Sequence, residues 1–412
     1  MPNRSSHTGL LYYFARMDYL ALALQLTLLI IGVFFIYGIG VEIGGAYVHK
    51  WYRQIFWIIL GAFVYVFAAI LDYRQLAKFS WLFYIFGLIL LALVFPMGKS
   101  INNARSWIVL PGIGLFQPAE IAKPLTIFFM AWLASRPALR NCIVPLALPV
   151  IGAVIPPFLI ICLQPDYGTA LLLLPVTIAL VFITGAKRRW LLLSAVAVLV
   201  ALPVFFQLLR PHQQERVKVF LQPPINTTLS LCSAWQSQPS QARWLAWRDD
   251  FFALQNGKVR DSWNAEQSLL AVGCGGLSGK GYLQGTHHVL GYLPQPVAPT
   301  DFIFSVIAEE KGFLGGATLV LLLALLLVCY CRTAIIAGNS LGSCLALGAA
   351  VLLGTHVIIN VGMTVQAVPI IGIPLPFVSY GGSFMLGTMF LAGLVQNVHL
   401  HRTDSGSNED EE

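Results

Sequence analysis

The sequence predicts an all-α, polytopic membrane protein, a bundle of about ten transmembrane helices with one large extracytoplasmic loop between the seventh and eighth spans. Three observations carry this. The 412 residues are 57% hydrophobic and only 10% charged, where a soluble domain has roughly 25% charged residues. Apolar runs of about 20 residues, the length that crosses a ~30 Å hydrocarbon layer, recur along the chain. Those runs do not alternate polar with apolar residues, so they read as helices and not as barrel strands.

The runs fall near 19–39, 54–71, 80–96, 119–134, 143–162, 168–184, 190–209, 302–330, 341–360 and 383–400. Arg4 and Arg16 precede the first run, and no small-residue cleavage site follows a short apolar core, so it reads as a retained span. One set of loops holds Arg74, Lys78, Arg136, Arg140, Lys187, Arg188, Arg189, Arg332 and Arg402, and the opposite set is poorer in Lys and Arg. This bias places both termini in the cytoplasm. The chain then divides into a cytoplasmic segment 1–18, a transmembrane domain 19–400 that contains the loop 210–300, and an acidic tail 401–412 expected to be disordered. A net charge of +7 is spread through short loops, with no dense basic stripe, which argues against nucleic acid.

Within the large loop, Trp235, Trp244, Trp247, Phe251, Phe252 and Trp263 suggest interfacial helices on the bilayer or over a cavity, with 222–241 as the more mobile part. Cys232 and Cys274 share this loop, where two unpaired thiols are the plainer reading and a disulfide the alternative. The cysteines show no zinc or haem spacing.

Five pieces could carry chemistry. Asp301 stands at the mouth of an apolar helix, with Glu309, Glu310 and Lys311 about two turns deeper. Charge at membrane depth is costly without a partner or a watered cavity, so this run predicts a polar cavity opening on one membrane face. Glu309 and Glu310 are expected to pair with Lys311 or with a polar group on another span. Asn102 to Ile108 leads through Gly112 and Gly114 to a helix begun by Pro118, on which Glu120 and Lys123 share a face. That pair is either a structural lock or a ligand contact. In Gln164-Pro165-Asp166-Tyr167-Gly168, Asp166 either lines a site or caps the following helix.

The glycine-rich stretch 273–281 is no Walker motif, because Cys274 and Gly281 occupy the required Gly and Ser/Thr positions. Its glycines let backbone approach a surface or an anion, with Lys280 as a point charge, or simply form a flexible turn. Pro369, Gly372, Pro374 and Pro376 prevent a single helix before Phe377-Val378-Ser379-Tyr380-Gly381-Gly382-Ser383, so a re-entrant segment is expected. Ser379 there would accept sugar or phosphate groups, or permit close packing.

Taken together, NNARSWI with QPAEIAK, QPDYGTA, GCGGLSGKG with TDFIFSVIAEE, and NVGM with GIPLPFVSYGG resemble the SEDS family (shape, elongation, division and sporulation), which includes RodA, FtsW and the spore-cortex homologue. The resemblance runs from about Asp18 to Asn397, and Asn360 to Met363 with Gly372 to Pro376 is most similar to the RodA type. It implies a peptidoglycan glycosyltransferase of the bacterial cytoplasmic membrane. Such an enzyme polymerises lipid II on the outer face during elongation, beside a class B penicillin-binding transpeptidase and other elongation-complex membrane proteins. A division polymerase of the FtsW type and a lipid-precursor flippase are the alternatives.

By motif, Asp301 matches the essential acid, Glu120 and Lys123 the polar pair, Arg105 and Trp107 the preceding loop, and Asp166 the QPD acid. Chemistry then assigns Asp301 as general base and gives the pyrophosphate to Arg105 and Lys123 with Arg216, Lys218 or Lys280, with or without a divalent cation such as magnesium or manganese. The chain departs from the pattern at Gln295, where the family commonly has Glu, at His287, where it has Gln, and at Phe384, where it has Ser.

Overall fold

The computed structural model describes residues 16–101, 104–110, 114–136, 147–183, 260–293 and 295–402, with the single positions 207, 214 and 217. The seventh expected span, Arg216, Lys218, Cys232, most of the large loop and the tail beyond 402 lie outside these residues.

Helix α1 (Tyr19–Ile43) begins where the Asp18 carboxylate accepts from the Ala21 amide at 3.1 Å, which satisfies one of the amides left unpaired at a helix start. It is followed by α2 (Lys50–Ile70), a short α3 (Tyr73–Ala77) capped by Asp72, α4 (Ser80–Ala92) and α5 (Val94–Met97). Here the structure departs from an all-helical reading. β1 (Gly98–Ile101), β2 (Ala104–Leu110) and β3 (Gly114–Phe116) form an antiparallel sheet in the order β1-β2-β3. Its hydrophobic alternation covers too few residues to stand out beside the apolar runs.

The chain continues through α6 (Pro118–Ser135), α7 (Ala147–Leu163), α8 (Tyr167–Leu171), α9 (Leu173–Ile183) and α10 (Arg260–Cys274). It ends with α11 (Ile303–Ile336), α12 (Ser340–Thr364) and α13 (Gly382–Leu400). Among the described residues, 6 helical stretches are long and apolar enough to cross a membrane: α1, α2, α4 with α5, α11, α12 and α13. The stretches Leu148–Leu163 and Tyr167–Ile183 are shorter apolar helices.

Helix α13 is the buried axis of the bundle, packed against α2, α6 and α12. Close approach is possible because Gly387 has no side chain: a Cβ there would stand 2.5 Å from the Glu120 carbonyl oxygen. Helices α1, α2 and α4 turn Ile30, Phe63, Phe67 and Phe86 outward, as lipid-facing surfaces do.

The run expected as one span at 302–330 is broken at Gly312, whose φ is +66°. The part after the break, 313–336, is about 36 Å long at 1.5 Å per residue and crosses a bilayer by itself. The break frees main-chain groups, and the glycine-rich loop receives them. Lys280 and Gly281 amides donate to the Glu309 and Glu310 carbonyls at 3.0 Å each, while Phe313 and Leu314 amides donate to Gly276 and Leu277 at 2.8 and 3.1 Å. Gly275 and Gly279 permit this, since Cβ atoms there would lie 2.0 and 2.1 Å from the Ala308 and Glu310 carbonyl oxygens. These glycines approach a helix backbone, neither a phosphate nor open solvent.

Candidate active site

The extended segment 371–374, between α12 and α13, joins the pieces that the sequence scatters. Gly168 of the QPD turn lies against Ile371, so closely that a Cβ would come 2.1 Å from its Cγ2. Gly372, at φ +78°, passes beside the Asp301 carboxylate, 3.3 Å from Oδ2 to the position a Cβ would take. One Asn360 amide group, Nδ2, donates to both the Ile373 carbonyl at 2.7 Å and the Asp301 carbonyl at 2.9 Å. The Pro374 carbonyl accepts from His356 Nδ1 at 3.2 Å. Pro374 and Pro376 keep this stretch from becoming helical, which leaves its carbonyls available to neighbours.

Asp301 is half-buried in the turn that leads into α11, with its amide donating to the Val297 carbonyl at 3.0 Å. The same turn is tied to the far side of the segment, because Ser379 Oγ donates to the Thr300 carbonyl at 2.6 Å and the Tyr380 amide donates to Pro299 at 2.9 Å. Ser379 is fully buried and its Oγ also accepts from the Leu375 amide at 2.8 Å. Its hydroxyl is thus occupied in holding the Asp301 turn, which fits the close-packing reading of Ser379. Lys50 lies 5.5 Å from the centroid of the Tyr380 ring. Burial raises the Tyr380 phenol above its ordinary pKa, opposed by the Arg53 guanidinium.

Lys123 Nζ is 2.9 Å from Glu120 Oε1 and 3.2 Å from His356 Nε2, all three side chains being buried. Because His356 Nδ1 faces a carbonyl, that nitrogen carries the hydrogen and Nε2 receives the lysine. His356 and Asn360 are one turn apart on α12, about 6 Å along its axis. The helix thus connects the lysine cluster to the backbone of Asp301. Asp166 caps α8, its Oδ1 accepting from the Thr169 amide at 3.3 Å, while Oδ2 accepts from Gln117 Nε2 at 2.7 Å.

Arg105 and Trp107 flank the buried Ser106 on β2, at the point where the pairing with β1 shifts register. Arg105 is exposed and donates through Nε to the Gly98 carbonyl at 2.8 Å. Lys280, expected to meet phosphate, is instead engaged by Glu309 at 2.5 Å. The same carboxylate accepts from Thr286 N, Thr286 Oγ1 and His287 Nδ1, at 2.9 Å each. Glu309 thus anchors the 280–287 loop. Lys311 does not pair with either glutamate but lies over the Tyr282 ring, 5.4 Å from its centroid. His356, Asn360 and Gln117 are the site residues that the sequence reading did not single out. An imidazole within an apolar run was the available signal for the first.

Residues 18–404 match the FtsW/RodA/SpoVE family model, described as cell cycle protein. The peptidoglycan glycosyltransferase MrdB of Escherichia coli K12 is 32% identical over 355 residues, covering 85% of each chain. A chain of a peptidoglycan synthase complex that coordinates polymerization and crosslinking superposes with a TM-score of 0.69 at 29% identity, covering 94% of this chain and 98% of the other. Thermus thermophilus rod shape determining protein RodA gives 0.62 at 25% identity with the same coverage. With nearly its whole length matched, this multi-pass membrane protein belongs to the FtsW/RodA/SpoVE family.

Proposed function

We propose that this chain is a peptidoglycan glycosyltransferase of the RodA type that polymerises lipid II at the outer face of the bacterial cytoplasmic membrane, with both termini in the cytoplasm. The observation that carries this reading is the convergence of Gly168, Asp301, Asn360 and His356 on the segment 371–374. A carboxylate half-exposed beside this non-helical segment, with its backbone fixed on three sides, suits a general base. The acceptor hydroxyl gives its proton to Asp301, the oxygen attacks the donor's anomeric carbon, and the bond to the pyrophosphate breaks as the polyprenyl pyrophosphate leaves with its electron pair. One displacement inverts the donor. General base catalysis contributes ~10² to 10⁴-fold.

Arg105, exposed on β2, offers a cation to a headgroup phosphate, with Trp107 two residues along the strand. Lys123 is buried and engaged by Glu120 and His356, so it acts through the positions of α6 and α12. The partner is a class B penicillin-binding transpeptidase within an elongation complex. This assignment is supported by the similarity to a chain from a complex coordinating polymerization and crosslinking.

Purified full-length protein with its transpeptidase is given lipid II and glycan products are resolved by gel. Asp301→Asn is expected to lose polymerisation while keeping the wild-type unfolding temperature. Glycan synthesis at the wild-type rate by the variant rejects the base. No synthesis by wild type, together with transport of labelled lipid across vesicles, supports a flippase instead.

A further inference from the structure

Glu42 near the end of α1, His288 in the stretch before α11 and Glu310 within α11 come together away from the Asp301 site. Each offers one donor atom, and the three atoms lie within 4.8 Å of one another. His288 is 0% exposed, Glu310 1%, and the Glu42 side chain 9%. Two carboxylates at that depth require compensating positive charge. Neither has a Lys or Arg ion pair among the described residues: Lys280 is held by Glu309, and Lys311 lies over Tyr282.

The imidazole is flanked by carboxylates. Nε2 contacts Glu42 Oε2, so that nitrogen carries the hydrogen of the contact. Nδ1 is buried without a hydrogen-bond partner among the described residues. It faces the same space as Glu310 Oε1: a Cβ on Gly285 would stand 3.0 Å from Nδ1 and 3.1 Å from that oxygen. An electron-pair donor therefore meets a carboxylate with no proton assigned between them, and the absent side chain of Gly285 keeps the space beside them open.

We propose that His288 Nδ1 and Glu310, with Glu42 orienting the imidazole, bind a divalent transition-metal ion that staples the end of α1 to α11 and to the loop between α10 and α11. An imidazole beside a carboxylate suits Zn²⁺ or Mn²⁺ better than a hard ion that prefers oxygens alone. The ion takes the open electron pair of Nδ1, while the Nε2 hydrogen stays in its contact with Glu42. Glu310 lies nine residues beyond Asp301, about 13 Å along the helix, so the ion is structural and takes no part in sugar transfer.

Full-length protein in detergent micelles is stripped with chelator, incubated separately with Zn²⁺ and Mn²⁺, dialysed and analysed by plasma mass spectrometry. One of the two ions is expected to remain at about one equivalent, with affinity ~10 to 100-fold weaker in Glu42→Gln. His288→Ala loses the ion. Gly285→Ala, whose methyl would stand 2.4 Å from His288 Cε1 and so push the ring away while keeping every donor group, weakens it as well. Asp301→Asn retains it, and the ion raises the unfolding temperature of wild type but not of Glu42→Gln. Wild type that retains neither ion, or equal retention in wild type, Glu42→Gln and Gly285→Ala, overturns the proposal.

Discussion

Asn360→Leu tests whether a single amide holds Asp301 in place. Its Nδ2 serves two carbonyls, that of Asp301, part-buried, and that of Ile373, buried, at 2.9 and 2.7 Å. Leucine has nearly the same shape and no donor. Each carbonyl stripped of its partner costs about 1 to 3 kcal/mol, or about 2 to 6 kcal/mol for the two. Against this, Asn360 Oδ1 is itself buried without a partner among the described residues, and removing it returns about 1 to 3 kcal/mol. The net loss is therefore about 1 to 3 kcal/mol, a fall of a few degrees in unfolding temperature in micelles. The kinetic loss should exceed what that instability explains, because a displacement of about 1 Å in a catalytic group can cost ~10²-fold. Asn360→Asp should be worse than leucine, since it places a carboxylate against both carbonyls. Wild-type stability and wild-type lipid II polymerisation in Asn360→Leu would refute the clasp.

Lys123→Met leaves Glu120 buried without its cation, and breaking a buried pair this way costs about 3 to 5 kcal/mol. Thermal unfolding should show this loss, and Glu120→Gln in the same molecule should restore most of it. Gly372→Ala sets a methyl 3.3 Å from the Asp301 carboxylate at φ +78°, a left-handed conformation costing roughly 1 to 2 kcal/mol. Polymerisation should fall further than stability, and an unchanged rate would separate Gly372 from the site. Glu309→Gln removes the negative charge on which Lys280, His287 and Thr286 converge and leaves only a neutral acceptor oxygen, so proteolysis within 276–293 should accelerate while the remaining helices stay protected.

The spans were legible because a bilayer demands long uninterrupted apolar runs, a signal that needs no knowledge of neighbours. Asp301, Glu120, Lys123 and Asp166 stood out for a related reason, as charges near apolar helices. Their partners did not. Nothing local to Ser379 says that its hydroxyl will bond Thr300, nor does Lys280 advertise Glu309 across the turn. The small sheet at 98–116 was hidden because its strands are only three to seven residues long. The break at Gly312 was hidden too, for the surrounding residues continue the same apolar run and a glycine in a helix is not by itself a stop.

That break also determines where substitutions will be tolerated. The bonds between 276–281 and 309–314 are made by main-chain atoms, so side-chain changes at Leu277 or Ser278, both exposed, leave them intact. A methyl group at Gly275 or Gly279 would force the two backbones apart. The splice is therefore brittle to the smallest addition and indifferent to larger ones a residue or two away. It makes the 276–281 loop and the eighth expected span inherit any tilt of one another, as two lengths of rope joined by their strands turn together.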